Sequence, residues 1–114
     1  MTLRINPVVY PVKDLAQAKT LYGKLLGVEP YADMPYYVGF RVGDQEIGLD
    51  PNGHDKGMTG AVAFCEVDDI QATLKLLLDA GATAQQPVSD VGEGKLIAMV
   101  KDADGNVVGL SQTP

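Results

Sequence analysis

The second half of this 114-residue chain repeats the first. Val12-Lys13-Asp14-Leu15 lies over Val67-Asp68-Asp69-Ile70, and Ile47-Gly48-Leu49 lies over Val108-Gly109-Leu110. Each copy spans only about 50 residues, too few to close a core alone, whereas two copies facing one another can. A repeat therefore narrows the fold more than any short motif.

Within the first copy, Leu3 to Val12 is rich in β-branched residues and reads as a strand. Asp14 is a good helix N-cap, and Gln17 three residues on completes a capping box. Leu15, Ala18, Tyr22, Leu25 and Leu26 then recur at helical spacing until Gly27 stops them. Three strands are expected next, at Val28–Asp33, Tyr36–Val42 and Gln45–Asp50, with Gly43-Asp44 as a tight turn. Pro51 to Gly60 is glycine-rich, lacks periodicity and reads as an exposed connector.

The order then begins again. Ala61–Val67 reads as a strand, and Asp68 or Asp69 caps a helix carrying Ile70, Leu74, Leu77 and Leu78, which Gly81 ends. Strands follow at Thr83–Val88, Leu96–Lys101 and Val107–Ser111, the last preceded by the turn Asp102 to Asn106. The expectation is one α+β domain, residues 1–114. It has two βαβββ modules, about 1–50 and 61–114, whose curved sheets surround a cup. The alternative is an unrelated α+β sandwich whose halves match by chance.

The formal charge of −6 argues against a general nucleic-acid binder, which needs a basic surface to neutralise phosphates. It suits solubility, or a neutral or cationic small ligand. Cys65 is the only cysteine, so no intrachain disulfide forms. The first residues lack a signal-peptide pattern and no stretch has the length of a membrane span, so no membrane association and a cytoplasmic location are expected.

Val8-Val9-Tyr10-Pro11-Val12-Lys13-Asp14-Leu15-Ala16, with Leu21-Tyr22 and Leu26-Gly27-Val28, resembles the opening of a module of the glyoxalase/bleomycin resistance protein/dioxygenase superfamily, also called vicinal oxygen chelate. Phe64 to Ile70, Leu78-Asp79-Ala80-Gly81-Ala82, and Asp102 to Asn106 followed by Val107 to Leu110, resemble the corresponding parts of the second module. The resemblance covers almost the whole chain and implies the fold far more specifically than the activity. The superfamily includes metal-dependent lyases, isomerases, dioxygenases, antibiotic-modifying enzymes and drug binders.

In the enzymes of that family a divalent metal is held in the cup by residues of the first and last strands of each module. Carried over one at a time, those positions fall on Pro7, Gly48, Val62 and Gly109. None offers the imidazole, thiolate or carboxylate that a transition metal needs. A shift of one residue gives Asn6, Val8, Ile47, Leu49, Ala61, Ala63, Val108 and Leu110, which do not restore the set. The expectation is no metal and no cofactor.

His54, the only histidine, stands beside Asp55 in the connector and reads as a solvated loop residue. Cys65 has no basic neighbour and reads as packing. Asp14, Asp68 and Asp69 are explained as helix caps, and Gly92-Glu93-Gly94 as a hairpin or a loop over the site. What remains is an aromatic and methionine inventory: Tyr10, Tyr31, Met34, Tyr36, Tyr37, Phe40, Met58, Phe64 and Met99. Such side chains suit an organic ligand held by shape and stacking. The expected ligand-binding residues are Tyr31, Tyr36, Phe40, Asp50, Phe64 and Met99. The resemblance then implies a bleomycin-resistance-like, non-catalytic binder of a small organic molecule, pairing as a homodimer. The rival is a metal-dependent lyase or dioxygenase relative whose ligands are Asp50, His54 and Glu66.

Overall fold

A computed structural model describes residues 4–114. Their order is β1 (Arg4–Pro11), α1 (Leu15–Leu26), β2 (Ala32–Met34), β3 (Tyr37–Val42), β4 (Gln45–Asp50), a 3-10 turn at His54–Lys56, β5 (Val62–Glu66), α2 (Ile70–Asp79), β6 (Thr83–Asp90), β7 (Leu96–Lys101) and β8 (Val107–Gln112). The fold is thus α+β and contains the βαβββ unit twice. Contacts divide it into two compact units, Asn6–Val62 and Ala63–Pro114, the second taking in the start of β1 through Ile5. Leu3, the expected start of β1, lies outside the described residues.

The two copies share their local chemistry. Asp14 Oδ1 accepts the backbone N–H of Gln17 at 3.0 Å, and Asp69 Oδ1 accepts that of Ala72 at 3.0 Å. Each cap satisfies one of the orphan donors at a helix start, and Asp69 rather than Asp68 caps α2. At the other end of α1, Gly27 takes the left-handed conformation, φ 71°, and its N–H returns to Gly23 O.

In the first module the strands run in the order β2-β3-β4-β1, and in the second β5-β8-β7-β6. β1 pairs parallel with β4, as β5 does with β8, while the hairpin pairs are antiparallel. The short Gly43-Asp44 turn sets Val42 opposite Gln45 and, counting back, Gly39 opposite Gly48 and Phe40 opposite Ile47.

Alternation along each strand then sorts side chains to one face or the other. In the first module Ala18, Val38, Phe40 and Leu49 are buried together, with Tyr10, Leu15, Tyr22 and Leu26 packed against them, so this face meets α1. In the second, Val67, Ile70, Ala98 and Leu110 form the matching cluster, with Leu74 and Leu77 of α2. Leu49 and Leu110 are equivalent in the repeat. Their neighbours Gly48 and Gly109 consequently belong to the face that each helix leaves uncovered.

Two expected strands differ. Val28 to Tyr31 is not strand, because Pro30 has no N–H to offer a ladder; β2 starts only at Ala32, although Tyr31 N already bonds Gly39 O at 2.9 Å. β6 runs on to Asp90 but shifts register between Ala84 and Gln86 and again between Gln86 and Ser89, the second shift spanning Pro87.

Phe40, expected to line a ligand site, is 1% exposed beneath α1, where its ring carbon Cε1 lies 3.7 Å from the Cβ position of Gly23. It is core because the turn register puts it on the side of Ile47 and Leu49. Phe40→Ala is therefore expected to destabilise the protein by about 3–5 kcal/mol. Tyr36→Ala, at an exposed position, stays within about 0.5 kcal/mol of the parent. Urea unfolding of both variants, followed by circular dichroism, measures the contrast.

Candidate functional site

Gly39 on β3 and Gly48 on β4 are opposite one another on the face of the first module that α1 leaves uncovered. With no side chain on either, two aromatic rings rest against the strand backbone there. A Cβ on Gly39 would lie 2.9 Å from Cε2 and Cζ of Tyr31, and one on Gly48 would lie 2.6 Å from Cζ of Tyr37. Ordinary carbon–carbon contacts are about 3.5–4.0 Å, so the rings occupy the volume that side chains at these positions would need. The two phenols are set side by side because the glycines beneath them are cross-strand partners.

A polar chain leads away from this notch. Tyr31 Oη donates to Glu46 Oε1 at 2.6 Å. The Arg41 guanidinium lies over the Tyr31 ring, 4.3 Å from its centroid, and its Nη2 is 3.5 Å from Glu46 Oε1. Asn6 closes the other side: its Nδ2 donates to Glu46 Oε2 at 3.4 Å, while its Oδ1 accepts the Glu46 backbone N–H at 2.7 Å. Glu46 is thus held by a phenol, a guanidinium and an amide drawn from three different segments.

Burial and nearby charge keep both phenols protonated. Tyr31 is pushed well above the usual tyrosine range, first by desolvation and then by its hydrogen bond to Glu46; Tyr37 and the Glu46 charge add to this, and Arg41 opposes it. Tyr37 is also raised, mainly by desolvation and next by the Glu46 charge, with Asp50 adding a smaller effect and the neighbouring Tyr31 hydroxyl opposing.

The second module repeats the arrangement with a hydrocarbon ring. A Cβ on Gly109 would lie 2.5 Å from Cδ2 of Phe64, the residue directly opposite it on β5. Met99 on β7 is the partner of Gly109 on its other side and has no exposed surface. The structure places Phe64 and Met99, both buried, on either side of one glycine. Nearby on β5, Glu66 accepts from the Thr113 hydroxyl at 2.7 Å.

The other expected residues have separate roles in the structure. Tyr36 is 59% exposed, and its hydroxyl donates to the sulfur of Met34. Asp50 is buried and engaged: it accepts from Lys56 Nζ at 2.8 Å and from the Asn52 backbone N–H at 2.8 Å, which fastens the connector to the end of β4. That tie leaves the connector less free than its glycines suggest. His54 belongs to the short turn so anchored. Among the described residues no three His, Cys, Asp or Glu side chains are grouped as metal ligands would be, so the set Asp50, His54 and Glu66 is not assembled.

Tyr37 stands in the aromatic inventory but not among the expected ligand-binding residues, and Glu46, Arg41 and Asn6 stand in neither. The signal for the first three was the hairpin register, which places Tyr37, Arg41 and Glu46 on the same face as Gly39 and Gly48. A groove of about 780 Å³ runs along the start of α1, between Val12, Asp14, Gln17, Leu21 and Tyr22, and none of the notch residues lines it. Among the described residues no helix is long and apolar enough to cross a membrane.

Comparison with solved structures places this architecture among known ones. A structure described as the NAD-dependent benzaldehyde dehydrogenase from Legionella pneumophila superposes with a TM-score of 0.77 at 18% identity, over 96% of this chain and 99% of that one. A glyoxalase/bleomycin resistance protein/dioxygenase superfamily member from Vibrio splendidus 12B01 gives 0.73 at 17% identity, over 97% and 98%. A variant of methylmalonyl-CoA epimerase from Streptomyces coelicolor, in complex with 2-nitronate-propionyl-CoA, gives 0.69 at 15% identity, over 96% of each chain. Identities this low speak for the fold alone. No curated protein matches the chain. The model of one protein family, however, matches residues 4–110, nearly the full length: the chain belongs to the Glyoxalase/Bleomycin resistance protein/Dioxygenase superfamily.

Proposed function

We propose that this member of the superfamily binds a small organic molecule by aromatic contact and hydrogen bonding, and does not hold a divalent metal at the strand positions the family uses. One observation carries this proposal. At both glycines that stand where last-strand ligands are expected, Gly48 and Gly109, an aromatic side chain already fills the space of a coordinating group. The other two positions, Pro7 and Val62, have no donor atoms. Zinc, manganese or iron need nitrogen, thiolate or carboxylate ligands, and this set supplies none. The residues present do not fit the metal, and the same substitutions leave an apolar and phenolic surface suited to stacking. Sequestration without turnover, as in a resistance protein, is the activity this surface supports best.

Isothermal titration with zinc and manganese, combined with elemental analysis of the purified protein, is expected to show no stoichiometric uptake. One tightly bound ion per chain would overturn the proposal. Screening the protein by nuclear magnetic resonance against a set of aromatic fragments should shift the amide signals of β3 and β4.

The ring-over-glycine contact has its own test. Gly48→Ala is expected to cost about 1–3 kcal/mol through overpacking against Tyr37. Combined with Tyr37→Ala, which vacates that space, the two changes should be markedly less than additive in a double-mutant cycle. Strict additivity in urea unfolding would show that the ring does not rest there.

The phenols also set an alkaline limit. Their raised values mean that neutral tyrosine is favoured in the folded state. Below about pH 10 both states keep the phenols protonated and this contribution to stability is fully present. As pH rises beyond that, the unfolded chain ionises first and stability falls. Unfolding midpoints measured from about pH 8 to 11 should drop at the alkaline end. Tyr31→Phe should flatten that drop.

A further inference from the structure

The hairpin at the edge of the first module carries an accessible sulfur. Met34 ends β2 and is the cross-strand partner of Tyr37, with only Pro35 and Tyr36 between them. Directly opposed residues share a face of the sheet, so the thioether stands beside the ring that covers Gly48. β2 is also the outermost strand of its module. Met34 is 37% exposed, whereas Met58 and Met99 are 3% and 0% exposed. Tyr36 orients the sulfur: its hydroxyl donates to Met34 Sδ and so occupies one of the two lone pairs.

From this arrangement we infer that Met34 is an oxidation site, converted to methionine sulfoxide by a peroxide, with Tyr36 directing the oxygen to one side of the sulfur. In this step the free lone pair attacks the peroxide, and an S–O bond forms as the O–O bond breaks. Sulfur gives up two electrons, and the departing hydroxide takes the proton of the transferred oxygen to leave as water. The product is polar and chiral at sulfur, and reductases specific for each epimer restore the thioether. Because Tyr36 engages one lone pair, oxygen adds at the other and one epimer predominates. A sulfoxide oxygen here puts a hydrogen-bond acceptor on the apolar rim next to Tyr37. The oxidation state of Met34 thereby sets the polarity of that edge of the aromatic face. The two inner methionines lack such access. Met58 Sδ lies 3.0 Å from the Cβ position of Gly53, and Met99 is paired on both sides, with Gln86 and with Gly109. Oxygen reaches either sulfur only when the chain opens locally. The thioether reacts whether or not this face binds an organic molecule, so the oxidation site stands or falls apart from that proposal.

The test treats the folded full chain with dilute hydrogen peroxide and follows oxygen uptake residue by residue through peptide mapping, which keeps Met1 and Cys65 separate. Met34 is expected to react at least about tenfold faster than Met58 and Met99. A comparable rate at either inner methionine, or a Met34 that stays reduced, would overturn the assignment. Treating the oxidised protein with each epimer-specific reductase should reveal one epimer in excess by about threefold or more, the scale of one hydrogen bond. Tyr36→Phe should bring the epimers to near equality. Equal epimers in the parent protein would refute the directing role of Tyr36, which mere exposure of the sulfur does not require. In the isotopically labelled chain, the amide signals of Tyr37 and Gly48 should move on oxidation and return on reduction. They should stay fixed in Met34→Leu, which keeps the side-chain volume, under the same peroxide. Shifts that stop short of Tyr37 would show that the sulfoxide does not act on the aromatic face. Heat denaturation of each variant confirms that it is folded at the temperature of the reaction.

Discussion

The absence of a Cβ at Gly39, Gly48 and Gly109 is what the rest of the uncovered sheet faces depend on. In ordinary strands side chains stand off the sheet and aromatic rings pack against other side chains. Here three rings rest against backbone instead. A methyl group at any of these positions would push its ring outward, and with Tyr31 would go the placement of Glu46 and Arg41. Glycine inside a strand loses chain entropy and packing, at a cost of about 0.5–1 kcal/mol relative to alanine. The burial of a phenol or phenyl ring on the exposed backbone offsets that loss, and more fully where, as with Phe64 over Gly109, the ring is almost wholly shielded.

The consequence is that the two modules share a shape but differ in chemistry. In the second, Phe64 and Met99 flank the glycine with apolar groups alone. In the first, the Tyr31 ring over Gly39 bears a hydroxyl, and a partly desolvated hydroxyl needs a partner. Glu46 provides it. Glu46, drawn partly out of water, needs donors of its own, which Arg41 and Asn6 supply. Each residue in the sequence Tyr31, Glu46, Arg41 answers a demand created by the one before. A buried polar group therefore recruits a network that ends where water or an exposed guanidinium can finish it.

Much of the fold was legible in the sequence because its signals are local. Asp14 and Asp69 announce their helices through side-chain acceptors placed three residues ahead of a backbone donor, and Gly27 ends α1 by a conformation few other residues adopt. The site was less legible, for a reason that Phe40 makes plain. Period-two alternation says that Gly39 and Phe40 face opposite ways, but not which way each faces. The answer lay in two features taken together: the Gly43-Asp44 turn fixes the pairing, and the equivalence of Leu49 with Leu110 identifies the helix-covered side. Counting from the turn puts Phe40 with Leu49 and Tyr37 with Gly48. Asp50 was misjudged differently. Its carboxylate looks free in sequence, and only the fold of the connector brings Lys56 back to it. Glu46 carried no local signal, since its three partners lie 40, 15 and 5 positions away along the chain.

A superfamily fold shared with epimerases and other enzymes does not carry their chemistry with it, because chemistry resides in side chains at particular strand positions. The positions that would decide it here are informative in a way that mere loss would not be. A coordination site abandoned without replacement leaves an open face, and any small residue would serve there. Gly48 and Gly109 are covered by rings that fit only glycine, and the covering differs between modules, phenol on one and phenyl on the other. Each glycine is thus matched to its own aromatic partner, so ring packing defines the surface at these strand positions.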